Sequence, residues 1–287
     1  MSTMEFVGVT TTSSSIMSLF PLWARDLGID ARLVGCDLPL DAPPEAYREV
    51  VERLRDDPDR RGALVTTHKL ALLAAARDLF DELDPHAERL SEVSSISKRD
   101  DRVIGHAFDP ITSGLAIADF LAADHFASTG GHVLCLGAGG AGAAIVVNLL
   151  ERDDRPARIV VTDTRADRLE SVAALGDVET AGADRADELL EALPDGSLVV
   201  NATGMGKDRP GSPLSDGARF PDGVIAWELN YRGELDFLRQ ARGQGVRAED
   251  GWLYFLHGWT AVIAEVFGVE LTPETFERLR RTADGSR

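Results

Sequence analysis

The stretch VLCLGAGGAGAAIVVNLL, residues 133–150, decides the fold of this chain. An apolar run that predicts a strand leads into a glycine-rich turn, and an alanine-rich apolar segment that predicts a helix follows. Gly137, Gly139 and Gly142 have the spacing G-x-G-x-x-G, and Gly140 adds a further glycine. These glycines permit a tight turn and close approach to a pyrophosphate, and the helix N-terminus supplies N–H groups and a positive dipole end. The motif in this setting predicts a dinucleotide-binding unit.

The residues after the next predicted strand bear on which dinucleotide binds. Asp163 ends the run IVVTD, at the place where a carboxylate accepts the ribose 2′-hydroxyl and repels a 2′-phosphate. That position favours NAD. Arg165 and Arg168 lie close by, and arginine can bind a 2′-phosphate, so NADP stays open.

A second small polar turn, NATGMG at 201–206, ends another apolar run. Ligands of open α/β sheets lie at the carboxyl ends of the strands, so this turn is expected on the nicotinamide side, although a purely structural turn is the alternative. The expected cofactor-binding residues follow strands or open helices: Gly137, Gly139, Gly140, Gly142, Asp163, Arg168, Asn201, Thr203, Gly204, Met205 and Gly251.

Strands and helices alternate on both sides of these turns. The predicted strands are 5–10, 31–38, 62–67, 102–108, 158–164, 197–203 and 224–230. The predicted helices are 15–28, 43–57, 69–80, 111–126 and 253–268, with a small polar linker at 128–132. This order predicts an α/β protein with mostly parallel sheets and helices on their faces.

Composition excludes several classes of function. A net charge of −18 argues against nucleic acid and anionic membranes as partners. No apolar run is long enough for a membrane span, and the N-terminus lacks the features of a signal peptide. Cys36 and Cys135 lie in apolar runs and predict buried thiols in a reducing cytoplasm. No cluster has metal-ligand spacing, so we expect no metal. We also expect a cytoplasmic monomer or homodimer that binds a small-molecule substrate.

Lys69 is unusual because this chain almost always uses arginine. Of 30 basic residues only three are lysines, and Lys69 stands between a predicted strand and a predicted apolar helix. Lysine can lose its proton when buried, whereas arginine stays charged. A catalytic lysine is therefore one interpretation, and a chance lysine at a helix start is the other.

Seven motifs in one order resemble the shikimate dehydrogenase family. They are TSSSIM (12–17), ALVTTHK (63–69), DELDPHAERLSEVSSIS (81–97), VIGHAFD (103–109), the glycine turn, NATGMG (201–206) and DGWLYFLHGWTAVIAEVFG (250–268). The resemblance implies a substrate domain at 1–112, to which 253–287 return, a Rossmann-type domain at 113–252, and a cleft between them. It also implies an oxidoreductase of aromatic amino acid biosynthesis.

The resemblance implies roles for individual residues as well. Lys69 and Asp109 match the pair that serves proton transfer while hydride moves between a ring carbinol and nicotinamide, and such a reaction needs a base for the hydroxyl proton. The matched substrate-binding positions are Ser13, Ser15, Thr66, Ser94, Tyr231 and His257. Helix capping by the serines, a surface tyrosine and a packed histidine are the alternatives.

The chain departs from the family where amides grip ring hydroxyls. Leu64, Ser94 and Ala107 replace asparagines, Phe108 replaces a threonine, and Gly258 replaces a glutamine. A site that leaves substrate hydroxyls unpaired rejects them. We therefore expect a carboxylated alicyclic polyol other than shikimate, with a non-catalytic metabolite-binding homologue as the alternative. A folate-type methylene dehydrogenase of related architecture fits the serine loop and the C-terminal motif less well.

Overall fold

A computed structural model describes residues 1–207 and 209–286. These residues form two compact units, one made of residues 1–108 and 258–286 and the other of residues 109–207 and 209–257. Each unit contains a six-stranded sheet. The predicted α/β class with mostly parallel sheets is confirmed.

The first unit is built around a mixed sheet. Its strands are β1 Ser2–Gly8, β2 Ala31–Asp37, β3 Arg60–Val65, β4 Glu82–Leu83, β5 Ser95–Arg99 and β6 Arg102–His106, in the spatial order β2-β1-β3-β5-β6-β4. Its N-terminal helices are α1 Ile16–Leu27, α2 Pro44–Asp56, α3 Lys69–Ala76 and α4 Pro85–Leu90. Strand β5 runs antiparallel to β3 and β6, and the other pairs are parallel.

The second unit has a fully parallel sheet. Its helices are α5 Asp109–Ala118, α6 His125–Thr129, α7 Gly140–Glu151, α8 Ala166–Ala173, α9 Ala186–Glu191 and α10 Asp236–Gly243. Its strands are β7 Val133–Leu136, β8 Ile159–Asp163, β9 Glu179–Gly182, β10 Leu198–Asn201, β11 Ile225–Glu228 and β12 Arg247–Glu249. The order β12-β11-β10-β7-β8-β9 places β7 and β10 side by side at the centre.

Two helices close the chain, α11 Trp252–Phe267 and α12 Pro273–Asp284. Local sequence explains where several helices begin and end. Gly28 follows α1 in the left-handed region at φ 68°, a common way to end a helix. Thr272 caps α12 by accepting a hydrogen bond from the Thr275 amide, and Pro273 takes the first helical position.

The predicted helix at 111–126 is wrong in its second half. Helix α5 ends at Ala118, and α6 starts at His125 and contains part of the predicted linker. The Asp154 carboxylate accepts hydrogen bonds from the Phe126 and Ala127 amides at 2.9 and 2.6 Å. Because this cap comes from a residue far along the chain, the local pattern did not reveal α6.

The prediction of two buried thiols is right for Cys135 and wrong for Cys36. Cys135 lies on the central strand β7 and is fully buried, whereas Cys36 is half-buried. Strand β2 lies at the edge of its sheet, which leaves Cys36 partly open to solvent. In the described residues, no helix has the length and apolarity to cross a membrane, and no group of His, Cys, Asp and Glu could hold a metal ion.

Candidate functional site

The glycine turn between β7 and α7 has the shape that a dinucleotide needs. Gly137 has φ 109°, and a Cβ there would lie 2.8 Å from the Ala202 carbonyl. A Cβ on Gly142 would lie 2.0 Å from the Gly137 oxygen, so backbone contacts exclude larger residues at both positions. A Cβ on Gly139 would meet Arg168 Nη1 at 3.8 Å, an ordinary contact that leaves room on that side of the turn.

Helix α7 begins at Gly140 directly after this turn, and Gly139 carries no side chain that could cap it. The first N–H groups of a helix have no partner within the helix, and they suit a phosphate. The turn and the helix N-terminus therefore fit the pyrophosphate of a dinucleotide.

Asp163 ends β8 beside the glycine turn. Its Oδ2 accepts a hydrogen bond from the Ala138 amide at 2.8 Å, and its Oδ1 accepts one from the Arg165 amide at 2.9 Å. The side chain is 8% exposed, and Arg168 Nη1 lies 3.9 Å from Oδ2. Arg165 pairs through its guanidinium with Asp167, and that bond raises the pKa of the arginine. Carboxylates of this chain thus face both arginines near the expected ribose position.

Side-chain hydrogen bonds of Asn201 hold the turn that follows β10. Asn201 is fully buried, and its Oδ1 accepts hydrogen bonds from Thr203 N at 3.2 Å and Thr203 Oγ1 at 2.7 Å. Its Nδ2 donates to the Met205 carbonyl at 3.3 Å. Gly204 and Gly206 both have positive φ, at 76° and 89°. The Asn201 side chain therefore shapes the turn through contacts within the chain.

Glu228, which our sequence analysis did not select, completes this arrangement. It is 0% exposed at the end of β11 and accepts hydrogen bonds from Asn201 Nδ2 at 2.6 Å and from Asn230 Nδ2 at 2.7 Å. Burial raises the pKa of Glu228 to about 7, although its hydrogen bonds act in the opposite direction. One signal in the sequence pointed to it, because VIAWELN places an acidic residue inside an otherwise apolar run.

The other predicted residues of this unit pack around the start of α11. Tyr231 contacts Phe255 and Trp252, with ring centroids 4.6 and 5.3 Å apart. A Cβ on Gly251 would lie 1.9 Å from the Leu229 oxygen, so glycine allows the chain to pass closely there. His257 Nε2 lies 2.8 Å from Asp119 Oδ2, a contact that joins α11 to the residue after α5.

In the first unit, the predicted substrate-binding residues gather at one edge of the sheet. The carboxyl ends of β1, β2, β3 and β6 meet at this edge together with the start of the antiparallel β5. Ser13 is exposed and donates to the Thr10 carbonyl, whereas Ser15 occupies the N-cap of α1 without a capping hydrogen bond from its side chain. Thr66 Oγ1 donates to the Val7 carbonyl at 3.2 Å.

Lys69 is the first residue of α3 and is half-buried. The preceding His68 is buried, with Nδ1 3.0 Å from the Tyr47 hydroxyl and Nε2 3.0 Å from the Leu38 carbonyl. These contacts anchor the first turn of α3. Lys98 differs, because its Nζ donates to three carbonyls at the end of α2, from Leu54, Arg55 and Asp57.

The departures from the family place mostly apolar groups at this edge. Leu64 and Ala107 are buried, and the Phe108 ring stacks on His106 with centroids 5.2 Å apart. Ser94 Oγ accepts a hydrogen bond from the Phe108 amide at 2.9 Å, so the hydroxyl also shapes the loop after β6.

Asp109 begins α5 in the second unit and is 9% exposed. The positive end of a helix dipole stabilises a carboxylate at this position. Lys69 and Asp109 thus both open a helix, each in its own unit.

Known proteins resemble this chain along most of its length, although no protein-family model matches it. A shikimate dehydrogenase (NADP(+)) from Methylobacterium radiotolerans is 35% identical over 247 residues, 84% of each chain. One from Gluconobacter oxydans is 30% identical over 252 residues, 86% of this chain and 84% of that one.

Solved structures show the same similarity. A shikimate 5-dehydrogenase from Thermus thermophilus, in complex with NADP(H) and shikimate, has a TM-score of 0.76 at 25% identity, over 99% of this chain and 100% of that one. A quinate dehydrogenase from Corynebacterium glutamicum, in complex with NAD, has a TM-score of 0.79 at 20% identity, over 99% of each chain, and shares the fold.

Proposed function

Because this chain belongs to the shikimate dehydrogenase family, it is an NAD(P)-dependent oxidoreductase, and we propose a specific cofactor, substrate class and set of catalytic residues for it. It transfers a hydride between the nicotinamide and a ring hydroxyl or ketone of a carboxylated alicyclic polyol. The finer proposal is that the cofactor is NAD and that the preferred substrate is not shikimate.

The Asp163 carboxylate carries the cofactor proposal. Hydrogen bonds from the Ala138 and Arg165 amides hold it at the end of β8, where an adenosine ribose would bind. A carboxylate there accepts from the 2′-hydroxyl and repels a 2′-phosphate. The two relatives described above are shikimate dehydrogenases (NADP(+)), and the quinate dehydrogenase of the same fold is in complex with NAD. Proteins that resemble this chain therefore include some that bind NADP and some that bind NAD. Asp163 supports NAD for this chain.

Lys69 and Asp109 are the proposed proton-transfer residues. A bound nicotinamide supplies the hydride acceptor for oxidation and the donor for reduction. As the ring alcohol is oxidised, the Lys69 amine takes the hydroxyl proton, and in the reverse direction its ammonium returns one. The Asp109 carboxylate is the acidic member of the pair. The position of Lys69 at the anchored start of α3 supports this role, because His68 fixes that turn on both sides.

The substrate proposal depends on what lines the edge of the first sheet. In the first unit Ser13, Ser15 and Thr66 offer hydroxyls, and the two serines are suited to a carboxylate. Tyr231 in the second unit retains a hydroxyl of the same kind. Leu64, Ala107 and Phe108 offer no side-chain donor or acceptor. Such a site favours a cyclic acid that carries fewer or differently placed hydroxyls than shikimate.

Turnover measurements test these proposals directly. Purified protein with NAD or NADP is assayed on shikimate, quinate and their amino analogues, and we expect turnover on at least one substrate. Lys69→Ala should lower kcat by at least about a hundredfold, the scale of general acid–base catalysis, while the Kd for NADH stays unchanged. Full activity of this variant would show that the proposed mechanism is wrong. NADH binding without turnover on any substrate would favour the non-catalytic alternative.

Three further properties remain proposals of ours. The substrate domain comprises 1–112 with 253–287, and the dinucleotide domain comprises 113–252. The protein is cytoplasmic. It is a monomer or homodimer, which native mass spectrometry would distinguish.

A further inference from the structure

Three N–H donors converge on the buried carboxylate of Glu228. Asn201 Nδ2 donates to Oε2 at 2.6 Å. The backbone N–H of Asn230 and its side-chain Nδ2 both donate to Oε1, at 2.8 and 2.7 Å. The carboxylate is 0% exposed, so these bonds replace its hydration.

Backbone groups determine which way both asparagine amides face. Asn201 Oδ1 must accept, because the Thr203 amide can only donate to it. The Met205 carbonyl can only accept, and it takes Asn201 Nδ2 at 3.3 Å and Asn230 Nδ2 at 3.2 Å. Both amide nitrogens therefore have to point toward Glu228, and an ionised carboxylate is the group that satisfies them.

The same amides hold the turn at 201–206 in place. Thr203 Oγ1 donates to Asn201 and accepts from the Met205 amide at 3.1 Å, so the turn closes on itself. The Ala202 amide donates to the Leu136 carbonyl at 2.7 Å. Ala202 also lies where a Cβ on Gly137 would clash. The turn that Glu228 supports thus packs directly against the glycine turn.

We propose that Glu228 is a positioning residue, whose carboxylate accepts from the amides that the backbone has oriented, keeps the Asn201 and Asn230 side chains in place, and thereby holds the turn at 201–206 in the form that receives the nicotinamide end of the cofactor. This inference rests on the proposed function, because it requires a nicotinamide dinucleotide to bind along the carboxyl edge of this sheet.

Protonation of Glu228 should disturb this arrangement. A proton on the carboxyl would remove the negative charge that strengthens the three N–H hydrogen bonds, so the hold on both asparagine side chains would weaken. Burial sets the pKa of Glu228 near neutrality, at about 7, and the negative charge of Asp250 after β12 also raises it. The neighbouring β10 contributes the neutral Asn201, and the first turn of α11 contains no acidic residue. The positioning should therefore weaken as the pH falls below about 7.

Two ligands separate the nicotinamide end from the rest of the cofactor. NADH contains the nicotinamide, and ADP-ribose lacks it. In Glu228→Gln, an amide nitrogen faces the Asn201 donor, and we expect the Kd for NADH at pH 8 to rise on the order of tenfold, equivalent to one lost hydrogen bond. The Kd for ADP-ribose should stay within about twofold. Glu249→Gln is the matched control, since it removes one charge from the adjacent strand β12, and it should change neither Kd.

Three results would overturn the inference. One is an unchanged NADH affinity in Glu228→Gln, and another is an equal loss for NADH and ADP-ribose, which indicates a general structural defect. The third uses the wild-type protein alone and does not depend on folding of the variant. Its ratio of NADH to ADP-ribose affinity should fall as the pH is lowered from 8 to 6, and a constant ratio would contradict the positioning role.

A double variant tests the direction of the hydrogen bond. In Asn201→Asp/Glu228→Gln the amide at position 228 can donate to a carboxylate at position 201, so part of the NADH affinity should return. A double variant that binds NADH more weakly than Glu228→Gln would count against the proposed network. If the wild-type protein binds neither ligand, the proposed function fails, and this outcome differs from a failure at Glu228.

Discussion

Glu5 in the first unit and Glu228 in the second are both buried glutamates on strands, yet their surroundings differ in kind. Glu5 is 1% exposed, and two arginines neutralise it, Arg53 with a bond of 2.9 Å and Arg60. Glu228 is 0% exposed, and its hydrogen-bond donors Asn201 and Asn230 are neutral.

The comparison shows how a buried carboxylate is stabilised by charged donors in one unit and by neutral donors in the other. The hydrogen bond between Arg53 and Glu5 is the main cause of the raised pKa of Arg53. In the first unit the buried carboxylate is therefore one half of an ion pair. In the second unit, hydrogen bonds from Asn201 and Asn230 offset only part of the effect of burial, and the pKa of Glu228 is raised to about 7. The first arrangement suits a scaffold, and the second suits a region whose shape matters to a ligand.

The largest expected effect comes from breaking the charged arrangement. Glu5→Gln leaves Arg53 and Arg60 without their buried partner, and we expect the free energy of unfolding to fall by about 3 kcal/mol. Urea denaturation of the purified protein measures this loss. Asp78→Asn removes half of the exposed pair with Arg48 and should lower the free energy of unfolding far less, because solvent screens an exposed ion pair. Equal losses in the two variants would contradict the contrast between buried and exposed pairs.

An effect of similar size concerns pH and Glu228. Its pKa is raised from an ordinary 4.5 to about 7 in the folded protein, so the folded state binds the proton more tightly than the unfolded state. The stabilisation from this proton is fully present below pH 4.5 and is lost as the pH rises through about 7, by on the order of 3 kcal/mol.

Urea midpoints measured at intervals from pH 4.5 to 8 check this pH dependence. Glu228→Gln cannot titrate and should have a flatter profile over that range than the wild-type protein. Parallel profiles for the two proteins would mean that Glu228 has no raised pKa.

The smallest effect sharpens the comparison with a third carboxylate. Asp163 accepts hydrogen bonds from two backbone N–H groups, and the Arg168 guanidinium lies 3.9 Å away. Its surroundings are therefore intermediate between the arginines around Glu5 and the asparagines around Glu228. In Asp163→Asn the negative charge that repels a 2′-phosphate is gone, and kcat/KM for NADP relative to NAD should rise on the order of tenfold. Glu179→Gln, an exposed change at the neighbouring strand β9, serves as the control. A preference unaffected by Asp163→Asn would show that another residue selects the cofactor.

Residues whose role is local were the ones that the sequence predicted well. Gly137 and Gly142 were selected from spacing alone, and the structure shows the close backbone contacts that require glycine. Helix α1 ends at Leu27, one residue before the end of the predicted helix 15–28. The antiparallel strand β5 and the short helix α6 were missed, because the first depends on pairing between distant strands and the second on a cap from Asp154.

The candidate site divides in the same way. Lys69 and Asp109 were selected by residue type and by resemblance, and their catalytic roles stay predictions. The anchoring of Lys69 through His68 depends on Tyr47 from another helix, and no local pattern contains it. The hydrogen bond from the Phe108 amide to Ser94 Oγ likewise depends on two neighbouring strands, β5 and β6, that meet at one edge of the sheet.

The sequence by itself determined the α/β class, the glycine turn and the alternation of strands and helices along most of the chain. It could do so because hydrophobic periodicity and glycine geometry act over a few residues. Only the tertiary structure decided that Glu228 is an amide-held buried acid, whereas Glu5 is an ion-paired one. The physical reason is that a carboxylate's state depends on burial and on donors from distant parts of the chain, and Asn201 lies 27 residues from Glu228.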